Sequence, residues 1–446
     1  MIRKIKTKLE EDSHLSDLIS SSIMSFGLRI MGIVVGYLFI LLISRNLGAS
    51  SVGIFTLAFT VLQIASIFGR FGLDTALLRF VSESAAHGKM GEAAGSYGKA
   101  MVLAFFLALS ISIAVYLSAE TIAAGVFSNL ELTRSFEIAS TGVVPMTLTY
   151  LNFETMRAMK KIREYAFFQN VSTFLVATVL LFFMLDTDSD PAVSIVVFVT
   201  AAYVTWLLSQ YKVMKLFRFK LTMQGREIFS MLKVSFPMMV ASSLMLIMGW
   251  TDTIMIGMFI DESSVGVYSV ALKVATVTSI TLMAINSMSA PKFAEFYAKN
   301  DMASLQYVVS HSSRLIFWTS LPILIVSIVF PEQILSIFGE EFKLASWALI
   351  ILCIGQFVNV VSGSVGYILQ MTGKEKVFQH IILLSIVLNI ALNYWLIPLY
   401  GIEGAAVASA FSLGTWNLLS VYVVRYKVKI TTIYLPYKLE RGIYEK

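Results

Sequence analysis

Apolar stretches long enough to cross a hydrocarbon core of about 30 Å recur along the whole chain, separated by short polar connections. They fall near residues 17–44, 52–69, 99–118, 138–157, 166–185, 191–211, 234–260, 264–290, 306–330, 344–366, 377–397 and 402–424. The pattern predicts an all-α polytopic membrane protein with twelve transmembrane helices. No connection is long enough to hold a folded soluble domain.

The second half repeats the first at an offset of 213 residues. Ser50–Thr60 reads SSVGIFTLAFT and Ser263–Lys273 reads SSVGVYSVALK; the same offset pairs Arg79-Phe80 with Lys292-Phe293 and Lys161-Ile162-Arg163 with Lys374-Glu375-Lys376. A solenoid unit spans roughly 20–50 residues, so this period is too long for one. It fits a duplicated bundle of membrane helices, with a six-helix lobe over 1–222 and a second over 223–446. Six spans per half is an even number, so the halves have the same orientation and form parallel repeats. In transporters such a duplication puts the binding site between the halves and lets them rock against each other.

Composition agrees with a membrane protein. The 446 residues are 57% hydrophobic and 14% charged, with mean hydropathy +0.78, outside the soluble range. The net charge of +6 matters less than its distribution. With the N-terminus placed in the cytoplasm, the inside segments hold 29 Lys/Arg and the outside loops only Arg45, Arg134 and Lys343. That split supports the span count and puts both termini inside the cell membrane. The basic balance therefore reports topology and contact with anionic membrane lipids, and no nucleic-acid partner is expected. The first span is too long for a signal-peptide core and lacks a cleavage pattern, so it reads as a retained helix. Cys353 is the only cysteine and reads as a small core residue.

Ionisable groups in hydrocarbon are costly, so each is a candidate site residue. Arg29 lies on a stripe with Ser22, Ser25, Gly32 and Gly36, spaced to share one helical face. The stripe either packs closely on another helix or lines a polar cavity. Arg29 is about twelve residues above the start of its span, roughly 18 Å, which puts it near the midplane. It either pairs with a distant carboxylate or meets an anionic substrate. Asp252 and Lys273 flank the turn Asp261-Glu262-Ser263-Ser264 at about ten residues each, hence at equal depth in a hairpin. The expectation is an ion pair, acting as a static neutraliser or as a switch that an anionic headgroup opens. Arg70, Asp74 and Arg79 cluster at the end of the second span, as a cytoplasmic gate or headgroup contact, and Lys292 is the repeat partner of Arg79. Glu154 and Arg157 read as an interfacial pair, and Asn389 and Asn393 as interhelical glue.

No Walker-type phosphate loop and no HExxH or similar metal spacing occurs in the sequence, and the outside loops are too short for extracytoplasmic catalytic groups. An enzyme is not expected, nor a bound cofactor or metal, although a coupling ion, Na+ or H+, is left open.

Several segments resemble polysaccharide and O-antigen flippases of the multidrug/oligosaccharidyl-lipid/polysaccharide exporter superfamily. They are Asn46-Leu47-Gly48 with Val52-Gly53-Ile54-Phe55, Phe71-Gly72-Leu73-Asp74 running to Arg79-Phe80, Ser235-Phe236-Pro237, and Tyr400-Gly401-Ile402-Glu403-Gly404. The resemblance implies two six-helix lobes around a central cavity, and transport of a lipid-diphosphate-linked oligosaccharide to the outer leaflet alongside other polysaccharide-assembly proteins. Related lipid II flippases place essential cations in the first, second and eighth helices; Arg29 and Lys273 sit in matching helices, while the second helix has only Arg45 and Arg70 at its ends. The competing functions are a drug/cation antiporter, which needs carboxylates at depth, and a glycan polymerase or ligase.

Overall fold

The computed structural model describes residues 13–185, 190–220, 222, 225 and 227–434. The basic N-terminal residues up to Lys8, the acidic run from Asp186 to Asp188 and the tail beyond Tyr434 lie outside the described residues. Among the described residues the chain is helical and contains no strand. Among the described residues, seven helices are long and apolar enough to cross a membrane, or eight with the pair Glu262–Thr276 and Thr278–Ala298, bent by 42°, taken as one.

Two of the seven are double. The helix Ser13–Arg70 breaks at Gly48 (φ 80, ψ −178), giving α1 (13–47) and α2 (49–70). Phe39 and Phe59 straddle this glycine and meet the same two rings, Phe174 and Phe198, at 5.2–6.4 Å. The chain therefore doubles back at Gly48, in a left-handed conformation that glycine adopts without steric cost. The helix Glu375–Val423 breaks likewise at Gly401 (φ 61, ψ −138). Between these lie α3 (Leu73–Ala86), α4 (Met90–Val126), α5 (Leu132–Thr141), α6 (Val143–Ala158), α7 (Ile162–Met184), α8 (Val193–Leu216), α9 (Ile228–Phe259), α10 (Glu262–Thr276), α11 (Thr278–Ala298), α12 (Met302–Val329), α13 (Pro331–Ser336), α14 (Glu340–Ser362) and α15 (Val365–Met371), followed by α16 (375–400) and α17 (402–423). The arrangement is consistent with the twelve crossings expected.

The chain forms two compact units. The first runs to Leu47 and resumes over Ala58–Ser242; the second holds Gly48–Leu57 and continues from Ser243. In the first, α4 presents Ala93, Tyr97, Ala100, Ala104 and Ala108, all buried. Small residues at this spacing let neighbouring helices approach closely. There the Tyr97 hydroxyl donates to Asn152 Oδ1 (2.7 Å), and Asn152 Nδ2 donates to Ser209 Oγ (3.0 Å), a neutral network that satisfies its own polar groups.

In the second unit, segment 48–57 crosses α10 at two glycines. A Cβ on Gly53 would lie 1.6 Å from the Glu262 carbonyl oxygen, and one on Gly266 would lie 2.0 Å from that of Ala49. Gly53 and Gly266 are equivalent under the 213-residue offset, as are Ala49 and Glu262, so the crossing is reciprocal. Large apolar side chains such as Leu117 (76% exposed), Phe183 (80%) and Trp395 (73%) remain on the outside, as suits surfaces facing lipid tails.

Candidate functional site

The most heavily bonded buried charge is Asp252. It is 4% exposed and sits in α9, nine residues before the turn into α10. Its Oδ1 accepts from Asn389 Nδ2 (3.1 Å) and Asn393 Nδ2 (2.6 Å). Its Oδ2 accepts from the Tyr268 hydroxyl (2.8 Å) and from the Ser409 hydroxyl. Asn393 and Ser409 each stand eight residues from Gly401, so the α16–α17 reversal brings both to one carboxylate. Neutral donors stabilise the ionised form in a medium that otherwise penalises it.

This arrangement corrects the expected Asp252–Lys273 ion pair, which is not present. Lys273 lies five residues beyond Tyr268 on α10, about 140° round the helix, so equal depth does not give a shared face. The carboxylate is filled by amides and hydroxyls instead. Asn389 and Asn393 are therefore carboxylate donors as well as a bridge between helices. Tyr268 and Ser409 escaped the sequence reading. The available signal was the repeat itself: Asp252 and Tyr268 stand where the first half has Phe39 and Phe55.

Chemically, the knot can change charge at one point. With both amides turned to present oxygen, the carboxylate, amide and hydroxyl oxygens form an all-oxygen set suited to a hard cation. Among the described residues, no group of three or more His, Cys, Asp or Glu side chains comes together as a metal site.

Arg29 is exposed on α1. Gly32, one turn further on, packs against the carbonyl of Asn170, where a Cβ would lie 2.2 Å from the oxygen. Asn170 is eight residues, about 12 Å, into α7. Phe39 meets Phe174 further along, so the two helices run in the same direction and Arg29, three residues before Gly32, lies nearer than Asn170 to the Ile162 end of α7. Gly32 answers the question of the stripe in part: that face packs closely, against the π-helical turn Phe168–Ser172.

At the end of α2, Arg70 and Asp74 are brought together. Arg70 Nη1 donates to Asp74 Oδ2 at 3.2 Å, its Nε to the Ser66 carbonyl at 3.3 Å, and its guanidinium lies 3.9 Å over the Tyr150 ring. Phe71 (φ 49) and Gly72 (φ 73) make the turn between them, with Gly72 pressed against the Ser235 carbonyl. Arg79 is exposed on α3, five residues past Asp74 and on another face, so it does not join them; Lys292 is exposed on α11 in the second unit. Glu154 and Arg157 do pair, at 3.3 Å.

The model of the family described as "Polysaccharide biosynthesis protein" matches residues 18–297. The chain belongs to this family. A second model, MatE, matches residues 237–395. Among curated relatives, a probable low-salt glycan biosynthesis flippase, Agl15, of Haloferax volcanii is 27% identical over 419 residues, 93% of this chain and 85% of the relative. A putative O-antigen transporter of Shigella flexneri is 26% identical over 164 residues, 36% of this chain and 38% of the relative. The fold resembles an inward-facing MATE-family transporter of the MOP superfamily (TM-score 0.77, 12% identity, covering 92% of this chain and 98% of that one). It also resembles the lipid II flippase MurJ in an inward closed conformation (TM-score 0.74, 16% identity, 91% and 87%). The MOP-superfamily fold is therefore that of this chain.

Proposed function

We propose that the chain is a flippase, not an enzyme, that moves a lipid-linked oligosaccharide from the inner to the outer leaflet by alternating access of two lobes divided near residues 222 and 223. The likeness to a glycan biosynthesis flippase over 93% of the chain carries this reading. Arg29 supports it physically. An exposed cation on an otherwise apolar helix lowers the cost of drawing a phosphate group out of water. The tracer is a fluorescent lipid-diphosphate oligosaccharide in liposomes. Arg29→Ala should abolish its flipping with normal insertion, while Arg29→Lys keeps part of it, since the charge remains but the bidentate fork does not. Undiminished flipping by Arg29→Ala would sink this role.

A second reading has its own observation: Asp252 lies within the MatE match. We assign it the coupling cation, H+ or Na+, which its five-residue knot can exchange for the neutral donors. Flipping that answers to an imposed ion gradient in the native protein but not in Asp252→Asn supports the assignment. Efflux of small organic cations in place of lipid transport would favour the antiporter.

The setting is the plasma membrane with both termini cytoplasmic, between the enzymes that build the glycan inside and those that use it outside. The native Cys353 is buried and should stay silent to an impermeant thiol reagent in intact cells. Glu332→Cys should be labelled from outside and Lys376→Cys should not; labelling at 376 would overturn the orientation.

A further inference from the structure

A cluster of unsatisfied polar groups surrounds the break between α14 and α15, at Ser362-Gly363-Ser364. Gly363 is left-handed (φ 71, ψ −145). A Cβ there would lie 2.5 Å from Ser313 Oγ on α12 and 3.4 Å from the Thr432 carbonyl oxygen. Helix, break and C-terminal segment thus meet at one point. Lys429 is left-handed (φ 62, ψ 31), and beyond it burial alternates: Ile430, Thr432 and Tyr434 are buried while Thr431 and Ile433 are exposed, a period-two pattern. Segment 429–434 is tied down by Gln306, which donates to the Thr431 carbonyl and accepts from its amide (both 2.8 Å). Tyr434 N donates to the Val361 carbonyl (3.3 Å), and Trp318 Nε1 donates to the Tyr434 hydroxyl (3.2 Å).

Within this enclosure the hydroxyls of Ser313, Ser364 and Thr432 have no hydrogen-bond partner in the protein, although the three residues are 1–2% exposed. Asn286 on α11 is 1% exposed, and neither its Nδ2 nor its Oδ1 has a partner. It stands at the same level. Ser279, two turns before it, donates to Gln356 Oε1 (3.2 Å), and Gly363 is two turns beyond Gln356. The helices run in the same direction, since α10 packs on α14 and α11 on α15.

A buried polar group left unpaired keeps its full desolvation penalty, and such atoms in native proteins are rarely unpaired. The kinds of atom decide what fills the gap. Asn286 Nδ2 only donates, Asn286 Oδ1 only accepts, and the hydroxyls do both. A cation would satisfy the acceptors alone and face the amide N–H. Water satisfies all of them. We propose that a small cluster of ordered water molecules binds between Asn286, Ser313, Ser364 and Thr432, making the α14–α15 break a hydrated hinge sealed by segment 429–434. Broken helices persist at membrane depth only where such partners complete the freed groups. The inference does not depend on what the protein carries.

The test compares Ser313→Ala, Thr432→Val and Asn286→Leu, singly and together, in the full-length purified protein. If water bridges these groups, each single substitution strands its neighbours and lowers the thermal midpoint by roughly 1–3 °C. Double variants then fall short of additivity because the partners are shared. Radiolytic labelling in heavy-oxygen water should mark Tyr434, beside the cluster, in the native protein and lose that mark in the triple variant; should the triple variant not fold, Ser313→Ala carries the comparison. A rise in midpoint on removing a hydroxyl would show that the groups are dry and overturn the proposal. So would a stabilisation of the native protein by sodium over choline chloride that the variants lack, which would point to a cation.

Discussion

At position 39 the first half of the chain buries a phenylalanine, and at the equivalent position 252 the second half buries an aspartate. Around Phe39 the α1–α2 and α7–α8 reversals bring three more phenyl rings to within about van der Waals contact, with Phe59 and Phe198 at 5.2 Å. Around Asp252 the corresponding reversals bring two amides and two hydroxyls. The caps follow the same division. Asp261 ends its turn by accepting from Ser264 N (2.7 Å). Its equivalent is Gly48, which has no side chain to do so, and the Ala49 amide instead donates to Glu341 Oε1 at 2.5 Å, 292 residues away. Asp301 caps α12, whereas Lys89 in the matching turn does not cap α4. One scaffold thus packs phenyl rings at position 39 and a bonded carboxylate at position 252, and caps its turns with a remote carboxylate in the first half and local ones in the second. The duplication conserves the reversals, while at this pair of positions only the second half buries a carboxylate.

The comparison breaks most visibly on exchange. Phe39→Asp places a carboxyl among phenyl rings with no donor in reach, and should cost on the order of 5 kcal/mol. Loss of the folded protein from the membrane fraction is the expected readout. Normal levels would show that the first half also hides donors for a charge.

Asp252→Leu comes next. It strands the Tyr268 and Ser409 hydroxyls and both amides, for roughly 3 kcal/mol or more. Asp252→Asn keeps the shape, and its midpoint should fall by less than that of the leucine variant. If both variants were as stable as the native protein, the carboxylate would not be what organises the knot.

The repeat, the reversals and the membrane class were legible because they rest on patterns that run along the chain: hydrophobic length, charge alternation and the SSVG segment in duplicate. The site was legible only as residue types. Asp252 stood out as a charge in an apolar span, but its partners come from α10, α16 and α17, and only the turn at Gly401 brings Asn393 and Ser409 to it. Lys273 looked like the partner because depth follows from counting residues, whereas the facing side follows from a rotation of 100° per residue. Arg29 shows a related limit: its type was readable, but that its neighbour Gly32 packs on Asn170 of α7 follows from the tertiary fold.

A smaller effect separates the caps by reach. Asp261→Ala should fray only the first turn of α10, for about 1 kcal/mol. Glu341→Ala should expose the Ala49 and Ser50 amides, far away in sequence, to hydrogen exchange while leaving α10 protected. Equal exchange at both turns would mean that Ala49 does not depend on its remote carboxylate.

The smallest effect lies at the paired starts of α4 and α12. Gly88 (φ 70) and Asn300 (φ 53) are both left-handed, and each is followed by one residue and then a helix beginning at methionine. In the second half that residue is Asp301, which accepts from Ser304 N at 3.0 Å. Hydrogen bonds from the Ser304 hydroxyl and amide hold its carboxyl below the usual carboxylate range. A depressed folded-state value means the cap contributes fully above the unfolded pKa, about 3.9, and is lost as pH falls through the lower folded value. The midpoint difference between the native protein and Asp301→Ala should therefore be present at neutral pH and shrink in acid below about pH 4. In the first half, Lys89 pairs with Glu92 at 3.0 Å on the surface, a contact worth little. Lys89→Asp should supply the missing cap and raise stability by up to about 1 kcal/mol, whereas Asp301→Lys should lower it. If Lys89→Asp instead destabilised α4, the two turns would differ in backbone and not only in side chain.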